Sequence, residues 1–349
     1  MVFIFLAARH MAEISKGFSI LNPYTRSYNF LALKTYPPEA SESVASGWTI
    51  SSLTSPGSIV LNKSNISVII STLELRPNYW YLHRSQYREV REPPRGFLGL
   101  NFTRFQLDHQ NETAVLIPYP VDFYLWQYPK SCFLECNKTS ATYLRRKNPE
   151  LYRVPPIVKD SYVEILAHAR DIFLSHRVTI MLAGGTALGW YRECGIIPHT
   201  TDTDMAFLRS EWKPILEEAL QTDKILTLVW ILGAVEDGME LTVTARNNKI
   251  DIFALYEQEN RSFVGALDTG AKMKLRWWYP RFPGVCAADL KGELFYVRCD
   301  ILAALEYEYG PQWYEHHHSR HYVWQSSHFN VQKVGKVNDS DWLSVYRKF

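Results

Sequence analysis

Asp202 and Asp204 stand one residue apart shortly after a Gly184-Gly185-Thr186 turn, and Asp251 follows about fifty residues later inside the apolar run Lys249-Ile-Asp-Ile-Phe-Ala-Leu-Tyr256. Side chains alternate along a strand, so Asp202 and Asp204 face the same way. A carboxylate in a strand as apolar as that of Asp251 needs a cation or a charged partner. The spacing therefore calls for a fold that gathers these three side chains around one ion, the arrangement that suits a divalent cation handling phosphate. Upstream, Val178–Leu182 reads as a buried strand and Gly184-Gly185 as a tight turn. Thr186–Glu193 then forms a helix whose first N–H groups are free to cradle phosphate. Glycine is required there because a side chain would hold the backbone away from the phosphate oxygens. Asp202, Asp204 and Asp251 are thus the candidate catalytic and metal-holding residues. Gly184, Gly185 and Thr186 are the candidate phosphate cradle, and Arg192 on the short helix is a further cation or a solvent-facing helix residue.

Strand, glycine turn, helix, Asp-x-Asp and an aspartate in a later strand follow one another as in the nucleotidyltransferase fold. The block Gly185-Thr-Ala-Leu-Gly-Trp-Tyr-Arg-Glu-Cys-Gly-Ile-Ile-Pro198, with Asp202-Thr-Asp204 after it, resembles the signature of the fukutin family and, more broadly, of LicD-type phosphotransferases. The likeness continues through Gly233–Asp237, Glu240, the Asp251 strand, Tyr279–Phe282, Glu306–Gly310 and Trp324–Gln332. It spans roughly residues 157 to 349, with a weaker echo at Phe133–Cys136. His328-Phe329 replaces a Pro-Pro of the family, and Met205-Ala206 stands where the family tends to have Leu-Gly. Both departures spare the aspartates and fall on the acceptor or alcohol pocket.

The resemblance implies an α+β fold. It places a nucleotidyltransferase-like catalytic domain, a mixed sheet flanked by helices, over residues 156–349, preceded by an N-terminal α/β stem-like domain over 1–155. It also implies a Mg²⁺- or Mn²⁺-dependent transfer of ribitol 5-phosphate from CDP-ribitol to a protein-linked glycan, with release of CMP. The alternatives are phosphocholine transfer from CDP-choline, nucleotidyl transfer with release of pyrophosphate, and a non-catalytic glycan-binding partner of another transferase. The intact aspartates speak against the last. A related transferase subunit or a second copy is a further partner that the resemblance suggests, and the relatives work in the Golgi or endoplasmic reticulum.

At 349 residues the chain is long enough for two domains, and its 46% hydrophobic content is that of a folded protein. A net charge of +2, with no cluster of basic residues and aromatics, argues against nucleic acid as a partner. Asn-x-Ser/Thr sequons at Asn62, Asn65, Asn101, Asn111, Asn137, Asn260 and Asn338 favour folding in the secretory lumen. Five cysteines leave at least one unpaired; Cys132 and Cys136 either bridge a short loop or are ordinary thiols. The apolar segment Val2–Ala8 is far short of the ~20 residues that span a bilayer, and it reads as a buried strand rather than an anchor.

Along the chain, residues 10–60 read as irregular, Ile66–Ile70 and Ala114–Ile117 as strands, and Pro93-Pro94-Arg-Gly96 as a turn. The prolines near Lys147–Ile157 mark the domain boundary. Asp160 caps a helix that buries Tyr162, Ile165, Leu166, Ala169 and Phe173. Glu211–Gln221 forms another, Ile225–Val235, Met239–Ala245 and Ile250–Tyr256 are strands, and a last helix runs from Asp300 to Gly310-Pro311. Trp277-Trp278-Tyr279 reads as core or groove wall. His316–His318, with His321, reads as a solvated loop.

Overall fold

The computed structural model describes residues 27–31, 49–54, 58–63, 66–71, 73–82, 93–106, 114–318 and 321–349; Val2–Ala8 lies outside them. The chain divides into two compact units, Met1–Phe133 and Leu134–Phe349.

In the first unit, strands Ser27–Leu31, Thr49–Thr54 and the start of Ser58–Lys63 lie in the stretch expected to be irregular. With Ile66–Ser71 they form a four-stranded sheet. Arg95 and Gly96, expected in a turn, begin a strand that ends at Phe97, because they pair antiparallel with Leu82 and Tyr81. Phe97, Leu82 and Leu100 make a small core against Trp80, Tyr124 and Tyr128. Gln127 is fully buried and satisfies both the N–H and the C=O of Leu98 at 2.8 Å.

The second unit begins with helices α1 (Lys138–Lys147) and α2 (Val163–Ser175), then strand β1 (Ile180–Leu182), helix α3 (Gly184–Glu193) and strand β2 (Asp202–Leu208). Helix α4 (Ile215–Thr222) precedes strands β3 (Thr227–Ala234), β4 (Asp237–Ala245), β5 (Asn248–Glu257), β6 (Arg261–Asp268) and β7 (Met273–Pro280). The hairpin β8 (Val285–Leu290) and β9 (Glu293–Arg298) leads to helix α5 (Ile301–Tyr309). Strand β10 (Val331–Lys336), the short helix α6 (Trp342–Val345) and strand β11 (Tyr346–Lys348) complete the unit. Helices and a mixed sheet make the architecture α+β.

The large sheet runs β10-β7-β6-β5-β4-β3-β11, with β1 and β2 as a side branch. Strand β5 is ten residues long, enough for two partners in succession. Its Lys249–Leu255 stretch pairs in parallel with β2, while Leu255–Glu257 pairs antiparallel with β6. Beyond that point β6 turns back over β4, where Gly265 and Gly238 meet so closely that a Cβ on Gly265 would stand 2.5 Å from the Gly238 Cα. The sheet therefore forks and curls, and the functional cavity opens in the fork.

The residues expected on the buried face of α2 are buried: Tyr162, Ile165, Leu166, Ala169 and Phe173 are at most 3% exposed. Burial of each large side chain stabilises by about 1.5–3 kcal/mol. Asp160 is not its cap; it sits in a preceding 3₁₀ turn and pairs with Lys291 at 2.9 Å. Helix α4 starts at Ile215 rather than Glu211, because Pro214 keeps the residue before it out of the helix. The domain boundary expected near residue 155 falls within the second unit. Helix α1 belongs to that unit because Cys136, just before it, is disulfide-bonded to Cys194 at the end of α3. Cys286 pairs with Cys299, which leaves Cys132 as the free thiol. The local Cys132–Cys136 bridge held open by the sequence is therefore not formed.

Candidate active site

The N-terminus of α3 and the first residues of β2 and β5 converge at one end of a cavity of about 940 Å³. Pairing in register sets Asp204 directly opposite Asp251, and Asp202 opposite Lys249. Alternation along β2 sends Asp202 and Asp204 to the cavity side. Thr203 between them is fully buried and donates its hydroxyl to the Lys249 carbonyl at 3.1 Å. The three aspartates expected to meet do share this cavity wall.

The glycines open α3 rather than forming a turn ahead of it. Gly184 has a φ of +45°, and a Cβ there would lie 2.9 Å from Asp204 Oδ2; the same atom on Gly185 would lie 3.3 Å away. The glycine backbone is thus pressed against the Asp204 carboxylate, and the N–H groups of the first turn have no partner within the helix. Thr186 is 5% exposed and stands off the cavity wall. Its Oγ1 accepts the Asp204 N–H at 2.7 Å, while Ala183 N–H donates to the Asp204 carbonyl at 3.1 Å. Where the sequence suggested a phosphate contact, Thr186 instead fixes the position of Asp204.

Arg192 is neither solvent-facing nor free. It is 3% exposed; Nη1 donates to the carbonyls of Trp313 and Glu315, and Nη2 to Glu193 Oε1 at 2.6 Å. Although it borders the cavity, its guanidinium is committed to holding the chain after α5 against α3. Arg192→Ala is expected to destabilise the protein by about 3 kcal/mol in a denaturant titration, and Arg192→Lys to rescue little, because an ammonium does not span two carbonyls and a carboxylate.

Sequence reasoning missed three participants. Lys249 Nζ lies 2.6 Å from Asp251 Oδ2 and 3.7 Å from Asp202 Oδ2. Thr242 on β4 donates to Asp251 Oδ1 at 2.7 Å. Glu240, also on β4, is 9% exposed and adds a fourth carboxylate. The i,i+2 spacing of Lys249 and Asp251 was a readable signal; Glu240 and Thr242 needed the β4–β5 register. The electrostatics reflect this crowding. Burial, then Asp202 and Asp251, push the Asp204 carboxyl well above the usual range. Burial and Asp251 do the same to Glu240. Burial also raises Asp251, against the pull of Lys249 and Thr242. Burial works against the charged Lys249, but Asp251, Asp202 and Asp204 outweigh it and raise its pKa.

The histidines expected in a solvated loop pack beside the aspartate strand. His199 stacks on His318 with ring centroids 4.7 Å apart, and its Nε2 lies 3.3 Å from His316 Nδ1. Burial, then His316, His318 and Arg192, lower the His199 pKa to about 4, so the ring is neutral near pH 7. Trp277 and Tyr279 line the same cavity, while Trp278, on the other face of β7, carries the Arg261 guanidinium on its ring.

In its chemistry the donor set is of the kind a hard divalent cation takes. It consists of oxygens from carboxylates on two paired strands, whose mutual repulsion a cation would relieve. Among the described residues no group of three or more His, Cys, Asp or Glu side chains forms a ready metal cage. The Lys249 ammonium supplies the local positive charge instead.

Residues 177–279 match the LicD/FKTN/FKRP nucleotidyltransferase domain. An uncharacterised Caenorhabditis elegans protein is 38% identical over 195 residues, covering 53% of this chain and 51% of the relative. The Mus musculus ribitol-5-phosphate transferase FKTN is 30% identical over 237 residues, covering 67% of this chain and 50% of the relative. Its Homo sapiens counterpart is 29% identical over the same length and shares. The chain spans about half the length of the curated relatives it matches. With the aspartate pair, the glycine-opened helix and the later aspartate strand all inside the matched domain, the chain belongs to the fukutin-like LicD family.

Proposed function

We propose that this chain is a metal-dependent transferase that moves a phospho-alcohol from a CDP-linked donor to a glycan hydroxyl and releases CMP. The observation that carries the reading is the in-register facing of Asp204 and Asp251, with Asp202 alongside, against the glycine-opened start of α3. Ribitol 5-phosphate is the favoured group, because the chain is similar to enzymes named ribitol-5-phosphate transferases. Seven sequons and two disulfides support a lumenal Golgi or endoplasmic reticulum setting. Among the described residues no helix is long and apolar enough to cross a membrane.

Asp202, Asp204 and Asp251 would hold Mg²⁺ or Mn²⁺, which would supply charge neutralisation for the diphosphate and the departing CMP. The chain's own residues do the positioning. The N–H groups of Gly184 and Gly185 face the phosphate oxygens at the dipole's positive end. Lys249, held beside Asp251, adds a fixed positive charge next to the developing negative charge. Thr242 and Thr186 keep Asp251 and Asp204 in place through hydrogen bonds. Phosphoryl transfer rests mainly on such positioning and charge stabilisation.

The test is product analysis with purified protein, CDP-ribitol or CDP-choline, and a glycoprotein acceptor, with and without Mn²⁺. CMP release that requires the ion and is lost in chelator is the expected result. Pyrophosphate as product, or equal turnover in chelator, rejects the proposal.

A further inference from the structure

The same cavity holds a second polar centre, built around helix α5 and near enough to Asp204 for its Glu308 to oppose ionisation of that carboxyl. Glu308 on α5 is 5% exposed, and its Oε2 accepts the Tyr279 hydroxyl at 2.8 Å. His328 Nδ1 stands 3.2 Å from Glu308 Oε1 but is not aligned to hydrogen-bond with it. Among the described residues, that nitrogen and the buried Tyr322 hydroxyl have no hydrogen-bond partner. Tyr322 and His328 pack edge to face at 4.9 Å, so the two unmatched groups lie side by side. The backbone holds them there, because the Phe329 N–H donates to the Glu308 carbonyl at 2.9 Å. Beside them, Trp277 and Trp324 stack on each other with centroids 6.0 Å apart. Glu308, Tyr279, Tyr322, His328 and both tryptophans all border the cavity that holds the aspartates.

We infer that Glu308, Tyr279, Tyr322 and His328 form a subsite that reads neighbouring hydroxyl groups of a polyol or sugar, with Trp277 and Trp324 against its C–H face. The inference rests on the CMP-releasing reading of the same cavity. Buried polar atoms left without partners favour a ligand that supplies them. Hydroxyls do so for His328 in either tautomer and for the Tyr322 O–H. A trimethylammonium group brings neither donor nor acceptor, and the faces with which Trp277 and Trp324 meet are closed to it. A site built to bond hydroxyls discriminates strongly against analogues that lack them. The hydroxyls belong either to the alcohol of the donor or to the acceptor sugar.

Two arms of one experiment separate these sources. Tryptophan fluorescence gives the affinities of the full chain and of Tyr322→Phe and Glu308→Gln for CDP-ribitol, CDP-choline and CMP. Saturation-transfer NMR follows binding of methyl galactoside to the same proteins. Both substitutions preserve volume, and Glu308→Gln gives an independent reading should Tyr322→Phe alter the fold. If the subsite reads the donor, the unaltered protein prefers CDP-ribitol over CDP-choline by at least about tenfold. Each substitution then removes that preference and leaves CMP affinity unchanged. If the subsite reads the acceptor, methyl galactoside binding is lost in both variants while CDP-ribitol affinity holds. A donor preference that is unchanged or favours CDP-choline, together with unchanged or absent galactoside binding, overturns the assignment. Hydroxyl-dependent binding without any CMP release overturns the transferase reading and leaves the subsite standing.

Discussion

Asp204→Asn is expected to abolish transfer and, at the same time, to raise the melting temperature of the ion-free protein. The catalytic loss follows from removing a carboxylate at the centre of the donor set. Its size is at least about 10²–10³-fold in kcat, the scale for losing one electrostatic contributor. The stability gain follows from the crowding. Burial, Asp202 and Asp251 all oppose ionisation of Asp204, and Lys249 offsets them only in part. A carboxyl whose folded pKa is raised contributes stability below its ordinary range and loses it as pH climbs through the raised value. Above the ordinary carboxyl range the folded chain therefore carries a cost at this position, and asparagine removes it. Each kcal/mol relieved shifts the melting point by about 2–4 °C in a unit of this size. The gap between variant and parent narrows as pH falls and closes below about 3, where Asp204 is protonated in the folded and the unfolded chain alike. Scanning fluorimetry across pH, with and without Mn²⁺, checks all of this. The ion should stabilise the parent and leave the variant unmoved. A variant that melts earlier than the parent at pH 7, or that still turns over, contradicts the account.

The second large effect is expected at Gly184. An alanine there carries a left-handed φ of +45°, which costs about 1–2 kcal/mol, and its Cβ meets Asp204 Oδ2 at 2.9 Å. Asp204 has nowhere to retreat. Its N–H is bound by Thr186, its carbonyl by Ala183, and its strand lies between β1 and β5. The carboxylate is the part that must move, and a displacement near 1 Å at a reacting centre lowers turnover by roughly 10²-fold. Gly185→Ala is the matched control. The contact there is 3.3 Å and the backbone is not left-handed, so a smaller loss than at Gly184 is expected. Kinetics of CMP release from both variants, with their melting temperatures, decide the matter. Equal behaviour of the two would show that the close approach at Gly184 is irrelevant to the site.

Much of this molecule is local chemistry written along the chain. Helix α2 was readable because its apolar residues recur at helical spacing, and α5 because Asp300 and Gly310 mark its ends. Asp202, Asp204 and Asp251 stood out because carboxylates at strand spacing, or in an apolar strand, cannot stay ionised without a partner. Gly184 stood out because only glycine lets the backbone approach phosphate oxygens closely; its contact with the Asp204 carboxylate came from the folded chain. What pairing and packing added was invisible from neighbours in sequence. The β2–β5 register sets Asp204 opposite Asp251, and the β4–β5 register brings in Glu240 and Thr242. Helix packing turns Arg192 from a phosphate candidate into a buried strut, and Thr186 into a support for Asp204. The disulfide from Cys136 to Cys194 joins residues 58 positions apart, and the histidine loop folds back onto His199. Periodicity and side-chain chemistry act over a few residues and can be read directly. Register, burial and contact between distant segments depend on which surfaces the whole chain can cover together, and only the folded chain settles them.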